Sequence, residues 1–454
     1  MTTATRDRTG RGTAGGPAGS RGRTAGSRRQ RSNPAPARPA AQAAPAAKTQ
    51  LRPRSRSGRL GPLQLRQLVL VEAALAIAAV GAVLGGLRLV VAAVVAAVLV
   101  LLAVIRRRGH AIPDWTSTVA AFRARRRHAA EPAGADVDPQ LAPVVECVPG
   151  LAPQTYVDRE RRTVGMLGDG TFLTAVVRVE AGGEALRPAF GARTLPLPLL
   201  ADALEVDDIV LESAQLVQQV RSAPAPHLPQ QSVARLSYAP LQQQTGAPAL
   251  RMTWVALKLD PELCAQAVAA RGGGMAGAQR CLVRAADHIA SRITGAGFTA
   301  TVLDQDELNA TLATSACANP MLAARATRPD AAPQRRTAET ARVWRCDDRW
   351  HTTYAIGRWP ELGPAATPLP GLVSLLTSIP AYATTFSLTV RRGDHRRAMT
   401  VNGHLRITGG SDNDLVNVRR SLEAAARSAR IGLVRLDREQ VPGVLATLPL
   451  GGTR

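Results

Sequence analysis

A chain of 454 residues with 45% apolar composition can bury a sizeable core, while its formal charge of +23 raises nucleic-acid binding as a first reading. The distribution of that charge excludes it for the folded part: residues 1–60 carry +13 and 61–130 carry +7, leaving +3 for the remaining 324, with only 3% aromatics and no basic stripe among them. Five cysteines, odd in number, widely spaced and without a C-x-x-C pair, fit neither a disulfide framework nor a zinc site and imply a reducing compartment.

Residues 1–62 are Ala, Gly, Pro, Ser, Thr and Arg with almost no large apolar side chain, so they cannot bury enough surface to offset their ordering entropy and are expected to be a disordered Arg-rich tail. The tail is too long and too evenly basic for a secretory signal, so no cleavage is expected. Residues 63–106 read as a two-helix transmembrane hairpin. The run LRQLVLVEAALAIAAVGAVL (65–84) is interrupted only by Arg66, Gln67 and Glu72, and LRLVVAAVVAAVLVLLAVI (87–105) only by Arg88. Each has roughly the twenty residues of a bilayer span, and Gly85-Gly86 supplies the turn. Arginines on the outer flanks of both runs place both termini in the cytoplasm, giving a multi-pass protein of the inner (plasma) membrane.

Residues 107–130 read as a basic amphipathic juxtamembrane helix with Trp115, Val119 and Phe122 on one face and Arg123 and Arg125–Arg127 following, suited to anionic lipid headgroups; the bland alternative is a solvated basic spacer. Pro-rich 131–150 reads as a linker, and 151–454 as a mixed α/β cytosolic domain. There, TVGM and TFLTAVVRVE flank a D-G turn as a hairpin, and Arg251–Leu259, Pro261–Arg271, Ala278–Ile293, Phe298–Leu303 and Glu307–Ala318 run strand, two helices, strand, helix. Ala323–Thr340 is expected to be a loop. Strands at Thr352–Trp359, Ala383–Arg391, Leu405–Thr408 and Gly432–Leu436 then alternate with helices at Leu369–Ser378, Leu415–Ala429 and Val441–Leu448. The stretches AADHIASRITGAGFTATVLDQDEL and LEAAARSARIGLVRLDREQ resemble each other in letters, suggesting an internal β-α-β-α duplication.

The candidate chemistry is sparse. Gly272–Gly277 fits G-x-G-x-x-G literally but follows a helix where the phosphate-binding turn needs a strand, and no glycine is followed by lysine, so no P-loop can be drawn. Asp304 and Asp306 could hold a divalent metal in a membrane-anchored, transferase-like enzyme, the alternative function; the competing account is a helix cap by Asp304 with Glu307, repeated by Ser411 with Asp414. Cys281 and His288, seven apart on a helix, read as one core and one surface residue. Glu72 is costly in an apolar helix and is expected to snorkel, pair with Arg106 or contact a neighbouring protein. Glu72, Arg106, Trp115 and Phe122 are the candidate interaction residues; no catalytic, cofactor or metal residue is assigned, and neither a cofactor nor a small-molecule substrate is expected.

Several stretches together carry a resemblance: VIRRR (104–108), VGMLGDGTFLTAVVRVE, WVAL with LDPELCAQAVAARGGG, HTTYAIGRWP and RLDREQVPGVLATLPLGG. Over roughly Leu60 to Gly452 the order of features resembles the EccE family of the type VII (ESX) secretion systems of actinobacteria. The resemblance implies a non-catalytic structural or regulatory subunit of the membrane-embedded protein-export complex, beside EccB, EccD and the ATPase EccC, and supplies no catalytic residue.

Overall fold

The computed structural model describes residues 63–104, 110–129, 132–181 except 135, 194–221, 250–328, 332–363, 367–393 and 399–453, with short pieces at 59–60, 106–107 and within 231–240. The tail expected over 1–62 lies outside the described residues apart from Arg59–Leu60.

Two helices come first, α1 (Leu65–Leu84) and α2 (Gly86–Val104). They are joined at Gly85 and Gly86, whose φ values of +61° and +59° lie in the left-handed region that glycine reaches without steric cost. The helices approach closely: a Cβ on Gly81 would lie 2.2 Å from the Ala92 Cβ. The expectation that they cross a bilayer is corrected, and with it the multi-pass, membrane-anchored fold class, because among the described residues no helix is long and apolar enough to cross a membrane. Arg66 and Glu72 occupy the first eight positions of α1 and Arg88 the third of α2. Helix α3 (Ile112–His128) follows, then the single turn α4 (Ala142–Val145). Residues 131–150 are more than a linker: Leu141, Val144, Val145 and Leu151 are all buried.

The rest is one twelve-stranded sheet, antiparallel in every pairing between strands, where a mixed α/β domain was expected. Its strands are β1 (Ala152–Val157), β2 (Thr163–Gly168), β3 (Leu173–Ala181), β4 (Ser213–Arg221), β5 (Leu250–Leu259), β6 (Phe298–Val302), β7 (Thr337–Glu339), β8 (Trp344–Cys346), β9 (Arg349–Arg358), β10 (Ala383–Arg392), β11 (Met399–Gly409) and β12 (Gly432–Arg435). Between them stand α5 (Pro198–Asp202), α6 (Ala265–Ala270), α7 (Gly274–Gly295), α8 (Gln305–Ser315), α9 (Pro320–Ala326), α10 (Leu369–Thr377), α11 (Asp412–Ser428) and α12 (Gln440–Thr447). The stretch 323–340, expected as a loop, contains the end of α9 and all of β7.

The same succession occurs twice. Strand β3, α5, β4, β5, α7 and β6 assemble in the spatial order β6-β3-β5-β4, and β9, α10, β10, β11, α11 and β12 in the order β12-β9-β11-β10. Both are the β-α-β-β-α-β, split β-α-β plan of ferredoxin-like folds. In each half the inner edge strand has a divided outer edge: β3 pairs with β2 at one end and β6 at the other, and β9 pairs with β8 and β12 in the same way. The halves join where β4 lies against β10, from Ser213↔Arg391 to Val220↔Thr384.

Successive strand residues point to opposite faces, and both faces are covered. On one, Val255, Leu257 and Leu259 of β5 meet α6 and α7, while Phe386, Leu388, Leu405 and Ile407 meet α10 and α11. On the other, Leu167, Trp254, Trp344 and Cys346 lie under α4, α8 and α12, a cluster that draws on both halves. Each fully buried aliphatic side chain there contributes roughly 1.5–3 kcal/mol over exposure.

Candidate functional site

Helix α3 docks on the globular part by charge. Arg125 makes a two-pronged ion pair with Glu339 of β7, Nε to Oε2 at 3.0 Å and Nη2 to Oε1 at 3.1 Å, and its Nη2 also donates to the Arg438 carbonyl at 2.7 Å. The Thr118 hydroxyl donates to Glu439 Oε1 at 3.1 Å. Glu339 in turn accepts the Val441 amide at 3.0 Å near the start of α12, so α3 is tied to the same corner that β7 and α12 form. Phe122, expected at the headgroup layer, is buried at 8% exposure, and Trp115 is half-buried.

This docking leaves a groove of about 450 Å³ on α3, lined by Trp115 and Phe122 with Arg123, Arg126, Arg127 and Arg438. The Arg438 guanidinium stands 5.8 Å from the Trp115 ring centre and that of Arg126 5.7 Å from Phe122. No carboxylate contributes to the lining. The other two candidate interaction residues are elsewhere: Glu72 is exposed on α1, and Arg106 belongs to a two-residue strand paired with His110–Ala111, its side chain outside the described part.

The carboxylates proposed for an enzyme are employed otherwise. Asp304 accepts the Glu307 amide at 2.8 Å while Glu307 Oε2 accepts the Asp304 amide at 3.3 Å, a complete capping box on α8, and Asp306 is exposed in the first turn. Ser411 accepts the Asp414 amide at 3.1 Å at the start of α11. Among the described residues no group of His, Cys, Asp or Glu is arranged to hold a metal ion. The glycine-rich 272–274 turn connects α6 to α7, helix to helix. Cys281 is buried, and its neighbour Cys264 has its thiol pKa lowered by interaction with it.

A buried polar seam under α8 and α12 went unnoticed in the letters. The Gln215 amide donates at 2.8 Å to both Ser387 Oγ and the Ala446 carbonyl, and Gln215 Oε1 accepts the Gly451 amide at 2.8 Å. Arg406, fully buried, donates to the Ser315 carbonyl at the end of α8, where the helix terminus is partly negative. Thr408 Oγ1 lies 3.0 Å from His351 Nδ1. Burial, with Arg406 and Arg349 nearby, holds the His351 pKa well below that of a free imidazole, and burial beside Arg391 brings His404 down to about 4. Through Gln215 this seam locks the C-terminal chain onto the sheet.

Residues 247–356, from β5 into β9, match the family described as "Putative type VII ESX secretion system translocon, EccE". No curated protein matches the chain. Among solved structures, one of alkyldihydroxyacetonephosphate synthase is similar at 6% identity and a TM-score of 0.23, covering 57% of this chain and 40% of that one.

Proposed function

We propose, from the premise that residues 247–356 match the EccE family, that this chain is a non-catalytic structural or regulatory subunit of a type VII protein-secretion complex. In this reading it assembles with EccB-type and EccD-type subunits and with an EccC-type ATPase that supplies the motor, and it resides at the membrane as part of that assembly. The family match is the observation that carries the proposal. The geometry supports it: Asp304, one of the two residues an enzyme reading depends on, spends its carboxylate on the α8 cap.

Affinity purification of the full chain from membranes in mild detergent tests this. The expected result is co-purification of an EccC-type ATPase and an EccD-type protein in one large complex. Recovery of the chain as a lone monomer under those conditions would overturn it.

A further inference from the structure

We infer that the groove on α3 is a docking site for the phosphate headgroups of an anionic lipid surface. The inference stands on the groove itself and is independent of the secretion reading. Four guanidinium groups, those of Arg123, Arg126, Arg127 and Arg438, line a cleft to which no carboxylate contributes. Arg125, the residue before Arg126 but on another side of the helix, shows the contrast: its charge is neutralised by Glu339 and it anchors the helix. Arg123, Arg126 and Arg127 are exposed, and among the described residues none of them makes an ion pair with a carboxylate. An exposed cluster of arginines attracts anions, and arginine's planar fork matches phosphate oxygens two at a time.

The floor of the cleft distinguishes lipid from a free anion or an acidic protein segment. Trp115 places an indole, partly exposed, beside the arginines, the pairing of amphipathic ring and basic charge that suits a headgroup layer. An acidic peptide could complement the arginines alone, whereas the headgroup layer of a lipid surface also takes the partly exposed indole. The inference concerns contact with the surface and calls for no helix to cross it.

Flotation of the full chain with vesicles tests this, comparing phosphatidylcholine alone with phosphatidylcholine containing phosphatidylglycerol, for the wild type and for Arg123→Gln/Arg126→Gln/Arg127→Gln. Each arginine near an anionic surface is worth about fivefold in partitioning, so the triple variant is expected to lose on the order of a hundredfold for the anionic vesicles. Its partitioning to neutral vesicles should be unchanged, and the wild-type preference should fade as salt is raised. The arginines are exposed and Arg125 is retained, so folding should persist, as an unchanged circular dichroism spectrum would show. Equal flotation of the wild type on both vesicles would overturn the inference. So would a triple variant that keeps its anionic preference, or one that keeps it and loses only a protein partner, the mark of an acidic protein segment as occupant.

Discussion

His404 sits on β11 between Ser387 of β10 and Ala355 of β9, and its pKa falls from 6.5 to about 4 because burial and the nearby Arg391 disfavour a second positive charge. Between those two values the unfolded chain binds a proton that the folded chain refuses. The stability contributed by the neutral ring is therefore complete above pH 6.5 and is lost as pH falls towards 4; a shift of this size corresponds to about 3 kcal/mol. His351, lowered by burial and by Arg406, acts in the same direction. Urea unfolding at pH 7 and pH 4.5 should show the wild type losing stability on that order, and His404→Gln should remove a large part of the dependence; an unchanged pH slope in the variant would refute the assignment. These residues were illegible beforehand for a definite reason. The order His404-Leu405-Arg406-Ile407-Thr408 alternates as a half-solvated strand does, and only the helices on both sheet faces bury its polar side too. The caps, by contrast, depend on neighbours three residues apart, and Asp304 with Glu307 and Ser411 with Asp414 could be read directly.

Helices and strands were legible wherever a strong period declared itself, as in α7, α11 and the β2–β3 hairpin. They were missed where an element is brief and held by distant partners. Strand β7 is three residues long and is fixed by Glu146, which accepts the Arg336 amide at 2.9 Å and the Thr337 amide at 2.8 Å from a segment that reads as a linker. The buried Arg336–Asp347 pair at 2.7 Å steadies the same region across eleven residues of sequence. Apolar composition alone also misled over α1 and α2, which pack on each other without meeting the length and apolarity of a span. At this scale Asp304 separates two accounts of one residue. If it caps α8, Asp304→Ala should cost about 1 kcal/mol of stability, recovered largely by Asp304→Ser or Asp304→Asn, because either side chain can accept the Glu307 amide. Asp306→Ala, two residues on and exposed, should leave stability within about 0.5 kcal/mol. Equal losses for the two carboxylates in denaturant titrations would dismiss the capping account.

The repeated letters of AADHIASRITGAGFTATVLDQDEL and LEAAARSARIGLVRLDREQ correspond to α7-β6-α8 and to α11-β12-α12, equivalent places in the two halves. The sheet built from them was not legible, because a strand-helix-strand signal is silent about which strand stands between. Here β3 separates β5 from β6, and β9 separates β11 from β12, so each crossover yields antiparallel neighbours. The two halves also share one continuous ladder at β4–β10 and one apolar cluster in which Trp254 of the first half and Trp344 of the second both lie. Neither half can expose its side of that cluster without stranding the other's. The Gln215 amide adds to the coupling by reaching from β4 to Ser387 and Ala446 in the second half. The sheet should therefore unfold as one cooperative unit despite its twofold plan. Variants that retain only Trp254 or only Trp344 as the reporter of their half, with the other four tryptophans replaced by phenylalanine, should give coincident denaturation midpoints once each is referred to its own circular dichroism transition. Two separated fluorescence transitions would mean that the halves fold independently and that the β4–β10 ladder merely adjoins them.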